Sequence, residues 1–219
     1  MPDTPADPAD GGSAAQHYFT AAPGGADRRR PLHVRLDGRD VELETSSSVF
    51  SGDRLDSGTA VLLDHVPAPP ADGPLLDVGC GWGPVALTMA LRSPAPAARE
   101  VWAVDVNERA RDLTAANAAR LGLGGVRAVA PDAVPTDVEV AALWSNPPIR
   151  IGKDALHGLL LTWLPRLAPG ASAHLVVAKD LGADSLLRWL GERGREAEHA
   201  WTAERTASKK GYRVLRVTR

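Results

Sequence analysis

Only one cysteine, Cys80, occurs in the 219 residues, so an intrachain disulfide framework is excluded and a reducing interior fits. No apolar run approaches the roughly 20 residues that cross a bilayer. The start of the chain is acidic and rich in Pro and Ala, without the basic region that opens a secretory signal. Together these absences predict a cytoplasmic protein with no membrane partner. The six histidines lack Cys-x-x-Cys or His-x-x-x-His companions, and no metal site is expected. Excess charge is missing as well: 25 Lys and Arg against 27 Asp and Glu leave a net charge of -2, unlike a protein that coats nucleic acid without specificity. The charge is nevertheless uneven. Arg28, Arg29, Arg30, Arg35 and Arg39 crowd one section, and Lys209, Lys210, Arg213, Arg216 and Arg219 crowd another. Each cluster is either a solvated face or a grip for phosphates.

What the chain does have is a run of alternating glycines. Leu75-Leu76-Asp77-Val78 reads as a buried strand that ends in an acid and passes into Gly79-Cys80-Gly81-Trp82-Gly83. Glycine has no β-carbon, so the backbone can turn sharply and a ligand can lie against it. A nicotinamide-type loop spaces its glycines G-x-G-x-x-G, whereas here the third comes one residue early and Asp77 precedes the first by two. The pattern resembles motif I of the class I S-adenosylmethionine (SAM) methyltransferases. About 20 residues further on, Val101-Trp102-Ala103-Val104-Asp105 is a second buried strand ending in a carboxylate. The resemblance implies that Asp105 accepts the ribose hydroxyls of the cofactor. Asp105 or Asn107 can also cap the helix that starts near Glu108. Cys80, inside the loop, reads as a small space-filling residue, and Trp82 and Trp144, the tryptophans nearest the site, read as core packing.

A third strand, Ala141 to Ser145, runs into Asn146-Pro147-Pro148-Ile149. Prolines fix their own φ and push the preceding residue out of the helical region, which predicts a stiff, extended rim. The element resembles motif IV of methyltransferases that modify an sp² amine. Such a nitrogen is a poor nucleophile because its lone pair is conjugated. The Asn146 oxygen and the Pro147 carbonyl can each accept one N–H and aim the lone pair at the sulfonium methyl, so positioning supplies most of the catalysis.

With Val49-Phe50-Ser51 and Leu55-Asp56-Ser57-Gly58-Thr59 upstream, and Gly152-Lys153, His157, Lys179-Asp180-Leu181-Gly182-Ala183 and Lys210-Gly211-Tyr212-Arg213-Val214 downstream, the chain from His17 onward resembles the small-domain family of rRNA guanine-N2 methyltransferases (RsmC-like). That resemblance implies SAM as cofactor, held by Asp77, Gly79, Gly81, Gly83, Asp105, Asn107, Asp132 and Thr59. It gives Asn146, Pro147 and Pro148 to the amine, and Ile149, Arg150 and Phe50 to the substrate. Asp132 sits where the family's adenine-contacting acid stands, and it is equally a loop-turn residue. Ile149 replaces an aromatic usual in amine methyltransferases, with less stacking than the roughly 1 to 3 kcal/mol an aromatic gives a base. The two-domain rRNA enzymes carry a duplicated, cofactor-free half that is missing here. The expected partner is RNA, either rRNA or the small ribosomal subunit. The alternatives are a methyltransferase of a protein glutamine, an adenine or a small metabolite, and a SAM-binding ribosome-assembly factor without turnover.

The expected fold is α/β: a Rossmann-like class I methyltransferase sheet, mostly parallel, with a C-terminal antiparallel hairpin and helices on both faces. At 44% hydrophobic residues the chain can bury one substantial core. Residues 1–30 read as a flexible tail, 31–66 as a hairpin and capping segment, and 67–219 as the SAM domain. Asp37-Gly38 marks the hairpin turn, and the hairpin is expected to border the active-site mouth. Asp56 or Ser57 is expected to cap a short helix through Val61 to His65. Strands are expected at Leu75 to Val78, Val101 to Asp105, Val126 to Ala130, Ala141 to Ser145 and His174 to Ala178. Helices are expected near Val85 to Leu91, Glu108 to Leu121, Asp154 to Leu167 and Ser185 to Arg193. Glu198 to Glu204 and Tyr212 to Val217 would form the closing hairpin.

Overall fold

Apolar strands alternating with helices build one seven-stranded sheet in the computed structural model, which describes residues 28–46, 49, 54–198 and 200–219. The strands are β3 (Leu75–Val78), β4 (Val101–Val104), β5 (Val126–Val129), β6 (Val140–Ser145), β7 (Leu167–Ala178), β8 (Thr202–Lys209) and β9 (Tyr212–Thr218), in the order β5-β4-β3-β6-β7-β9-β8. All pairs from β5 to β7 are parallel, and β9 runs antiparallel to β7 and β8. Strands β3 and β4 are apolar nearly without interruption because helices cover both their faces. Leu75 packs with Leu62, Leu87 and Leu113 on one face, while Leu76 packs with Leu160, Trp163 and Leu190 on the other. These partners lie on α1 (Ser57–His65), α2 (Pro84–Leu91) and α3 (Glu108–Arg120) on the first face, and on α4 (Lys153–Trp163) and α5 (Ala183–Glu196) on the second.

Strand β3 has β4 on one side and β6 on the other, so the chain order reverses at β3. Ligands of open α/β sheets bind at the carboxyl ends of the strands at such a reversal. Gly79, Asp105 and Asn146 each follow the last residue of β3, β4 and β6, and topology alone brings them to one crevice.

The amino-terminal hairpin pairs β1 (Arg29–Leu36) with β2 (Arg39–Ser46) around Asp37 and Gly38, at φ 49° and 73°, the twist a two-residue turn needs. It does not border the mouth as expected. Leu32, Leu36 and Leu43 are buried in the core shared with α2 and α3. The Asn117 side chain of α3 acts as one more strand residue, donating to Glu44 O at 2.9 Å and accepting from Glu44 N at 2.7 Å. The hairpin is thereby fixed behind the glycine loop, and none of its strand residues lines the site cavity.

Two other expectations need correction. The helix expected to reach Leu167 ends at Trp163, because Pro165 lies in the tight turn Leu164–Arg166, and β7 starts at once, earlier than His174. Strand β8 begins at Thr202 rather than Glu198. Trp201 folds back onto α5, its N–H meeting Gly194 O at 3.1 Å and its ring N–H meeting Leu190 O at 3.0 Å, so the chain is still turning at Trp201.

Candidate active site

The glycine loop is held from three sides. Gly79 N and Cys80 N both donate to Val104 O, at 2.8 and 3.1 Å, which ties the loop to the end of β4. Thr114 of α3 donates to Gly81 O at 3.0 Å. Asp77, 1% exposed, accepts from Ala86 N at 3.0 Å, anchoring the first turn of α2. Burial pushes the Asp77 carboxyl up to about 8, the Ala86 N–H draws it down, and nearby Asp105 raises it further. Gly79, Gly81 and Gly83 have φ of 80°, 59° and 98°, a region in which a β-carbon is strained. Gly79 and Gly81 line the cavity; Asp77 and Gly83, both expected to touch the cofactor, do not, Asp77 bracing the loop from behind through Ala86 N and Gly83 ending the loop as the N-cap residue of α2.

Asp105 faces the cavity with both oxygens already anchored: Oδ2 accepts from Gly81 N at 3.0 Å and Oδ1 from Asn107 N at 2.9 Å. Burial raises its pKa and these N–H groups oppose the rise. Asn107 is the helix cap, its oxygen accepting from Arg109 N at 3.0 Å and Ala110 N at 3.4 Å, which leaves Asp105 free of that task. Asn107 also lines the cavity. Asp132 is exposed in the turn Pro131–Ala133 and is not a lining residue; its neighbour Pro131 is.

Opposite the loop, Ser145 Oγ donates to Val78 O at 2.6 Å and locks the ends of β6 and β3 together. The next residues are not an extended rim. Pro148, at φ -73° and ψ 74°, is the centre of an inverse γ-turn, with Ile149 N donating to Pro147 O at 2.8 Å. Ile151 N then meets Pro148 O at 3.2 Å. One acceptor site of the Pro147 carbonyl is therefore taken from within the motif, and the second lone pair remains. Asn146, Pro147, Pro148, Ile149 and Arg150 all line the cavity.

The Asn146 side chain donates from Nδ2 to Asp56 Oδ2 at 2.9 Å and to Thr59 Oγ1 at 3.0 Å. Thr59 lines the cavity, and its hydroxyl is spent on Asn146. Asp56, expected as a cap and given no site role of its own, does cap α1 through Thr59 N at 3.0 Å and lines the cavity too. Tyr212, also unassigned by the sequence, closes this wall: a β-carbon on Gly58 would stand 2.9 Å from the Tyr212 ring and 2.9 Å from Asp56 Oδ2. Burial and the nearby Asp56 raise the Tyr212 pKa. Nothing in the spacing of Asp56, Asn146 and Tyr212 links them; only the adjacency of β6, β7 and β9 and the return of α1 across their ends does. Phe50 lies outside the described residues.

The cavity between loop and Asn-Pro-Pro turn has a volume of about 390 Å³, within the range of small-molecule sites. The residues fit SAM. The Asp105 carboxylate lines the cavity at the lip of β4, an acceptor suited to ribose hydroxyls, turned backbone at Gly79 and Gly81 allows close approach, and Asn146 lines the same space. Among the described residues, no helix is long and apolar enough to cross a membrane, and no group of three or more His, Cys, Asp or Glu could hold a metal.

The family model described as "Methyltransferase small domain" matches residues 40–216. The uncharacterized protein YbxB of Bacillus subtilis is 30% identical over 92% of this chain and 98% of its own length. Ribosomal RNA small subunit methyltransferase C of Stutzerimonas stutzeri is 33% identical over 85% of this chain, which spans 54% of that relative. Among solved structures, the Thermus thermophilus 16S rRNA N2-guanine methyltransferase RsmC, in complex with AdoMet and guanosine, superposes with a TM-score of 0.73 at 20% identity, over 90% of this chain and 52% of that one. The chain belongs to the methyltransferase small domain family and is a SAM-dependent methyltransferase.

Proposed function

We propose that the protein methylates an exocyclic amine of RNA, with guanine N2 of small-subunit rRNA as the substrate. The observation that carries this reading is the Asn146 amide: its nitrogen is held by Asp56 and Thr59, so its oxygen is the end left for the cavity. An acceptor there suits a substrate N–H. Relatives named ribosomal RNA small subunit methyltransferase C, and an RsmC structure that holds guanosine with AdoMet, support the same substrate.

When bound, SAM supplies a methyl group on a sulfonium, activated toward attack. The Asn146 oxygen and the open lone pair of Pro147 O accept the two amine hydrogens, which turns the nitrogen lone pair toward the methyl. Held by these two acceptors, the amine would take the methyl in exchange for one of its protons, which would pass to water. Asp105 fixes the opposite end of the cofactor, and Ile149 gives the base an apolar contact. Both the base edge and the methyl must be reachable, so an unstacked base in a loop or an incompletely assembled subunit is the favoured substrate.

The cations sort into two groups. Arg29 pairs with Glu44 at 3.5 Å and Arg35 with Asp40 at 3.9 Å, while Arg216 and Arg219 pair with Glu204 and Glu139. Arg150, Lys153, Lys179, Lys209 and Lys210 make no ion pair among the described residues, and all are exposed. Arg150 lines the cavity, and Lys179 N meets Gly211 O at 2.8 Å, bringing Lys179 beside the Lys209-Lys210 turn. These cations rim the carboxyl edge of the sheet, next to acidic Asp154 and Asp180 but in excess of them. Their place supports a phosphate-bearing substrate.

Tritiated methyl from SAM, offered with rRNA from a strain lacking the gene, is expected in N2-methylguanine of the small subunit. Label in a protein glutamine, a free metabolite or large-subunit rRNA would keep the chemistry and replace the substrate.

A further inference from the structure

We propose that Asp56 is a positioning residue for methyl transfer, deciding which end of the Asn146 amide faces the cavity. The proposal rests on the reading of Asn146 as acceptor for an amine. The two ends of a primary amide have nearly the same shape, so packing alone does not choose between them. Hydrogen bonding does. A carboxylate can only accept, and Asp56 Oδ2 lies 2.9 Å from the amide; the end it faces must be the NH2. The Thr59 hydroxyl, 3.0 Å from the same nitrogen, can donate or accept and would suit either orientation. Asp56 is thus the one neighbour of the pair that enforces a direction. With the amide reversed, Oδ1 would meet Oδ2 and the NH2 would confront the substrate N–H groups, donor against donor.

The fold fixes Asp56 independently of Asn146. The same Oδ2 caps α1 through Thr59 N at 3.0 Å, and the turn behind it is filled by Tyr212, which leaves no space for a β-carbon at Gly58. Helix α1 delivers a rigid acceptor to a residue 90 positions away. Because one oxygen serves both the cap and the amide, a neutral isostere can replace it: the single oxygen of Asn can do both.

The test uses the full chain bound to S-adenosylhomocysteine. Nitrogen-15 NMR of the side-chain amides locates Asn146 by the pair of signals absent from Asn146→Ala. In the wild type this pair is expected to exchange slowly, since both its hydrogens are bonded; a pair exchanging like a free amide overturns the proposal. Asp56→Asn should retain the protected pair. Asp56→Ser keeps a good helix cap, and hence the Tm, but offers a hydroxyl that no longer dictates orientation, so protection should be lost. Methyl transfer to rRNA is the second readout. Asp56→Ser should lower kcat at least about 30-fold with the KM for SAM within about twofold, and Asp56→Asn should restore kcat to within about threefold. Wild-type turnover in Asp56→Ser, or an Asp56→Asn enzyme as slow as Asp56→Ser, sinks the idea. The amide signal needs no methyl acceptor. A wrong substrate would abolish rRNA labelling and leave the NMR result intact, whereas a wrong assignment of Asp56 would fail in the NMR whatever the substrate.

Discussion

The two walls of the cavity are built in different ways. The cofactor wall, β3, the glycine loop and β4, draws its residues from short range and holds them by backbone: Val104 O takes two loop N–H groups, and Gly81 N reaches Asp105. The opposite wall, to which we assign the amine, is assembled from three distant segments, with Asp56 and Thr59 before the sheet, Asn146 in its middle and Tyr212 near its end. Its order rests on side chains. A wall made of backbone tolerates substitution except where φ is positive or a carboxylate receives the ligand, whereas a wall made of side chains depends on each of them.

The sharpest way to separate the walls is a pair of alanine variants. Asn146→Ala should cut turnover by at least about 10²-fold while SAM affinity, measured by calorimetry, changes little. Asp105→Ala should do the reverse. Losing even one hydrogen bond to a charged acceptor, worth about 1.5 to 3 kcal/mol, should weaken SAM binding at least roughly 10-fold and leave kcat at saturating SAM near normal. If Asn146→Ala released SAM, or Asp105→Ala lowered kcat under saturation, the two walls would be one functional unit.

A smaller effect tests the outer rims. Replacing Lys209 and Lys210 by Glu should reduce the dependence of single-stranded RNA binding on salt, by about 0.7 in the log–log slope for each phosphate that is no longer neutralised. The same change at Arg29 and Arg35, already paired with acids, should leave the slope near that of the wild type. Fluorescence anisotropy over a salt series gives both slopes, and an equal drop in the two variants would erase the distinction between rims.

A last test reads stability instead of turnover or binding, and it concerns the brace behind the loop. Asp77 has a folded pKa of about 8 against 3.8 for a free carboxyl, so between these values the unfolded chain gives up a proton that the native state keeps. Stability from this group is therefore fully present below about pH 4 and falls as pH rises toward 8, by at most about 1.4 kcal/mol per pH unit. Asp77→Asn keeps an oxygen for Ala86 N and removes the titration. Its Tm advantage over the wild type should widen from pH 5 to pH 8 in scanning calorimetry; parallel pH curves would show that Asp77 is ionised in the native loop.

Much of this protein was legible in its sequence. Strands β3 and β4 announce themselves as apolar runs, interrupted only by Asp77, because both faces are buried, and three glycines two apart permit a left-handed backbone that few other residues accept. Asp105 and Asn146 could be placed because each follows its strand directly. The Asp37-Gly38 turn was equally plain. These features are local: propensity, periodicity and the missing β-carbon act within a few residues. The role of Asp77 as a brace, the capping of α3 by Asn107 instead of Asp105, and the start of β8 after Trp201 were set by which neighbour stood within hydrogen-bond reach. Asp56 is the clearest case. Its sequence neighbourhood says helix cap, and it is one; that the same oxygen also orients Asn146 depends on α1 crossing the ends of β6 and β9. A hydrogen bond acts over about 3 Å, and only the tertiary structure could bring residues 90 positions apart to that distance.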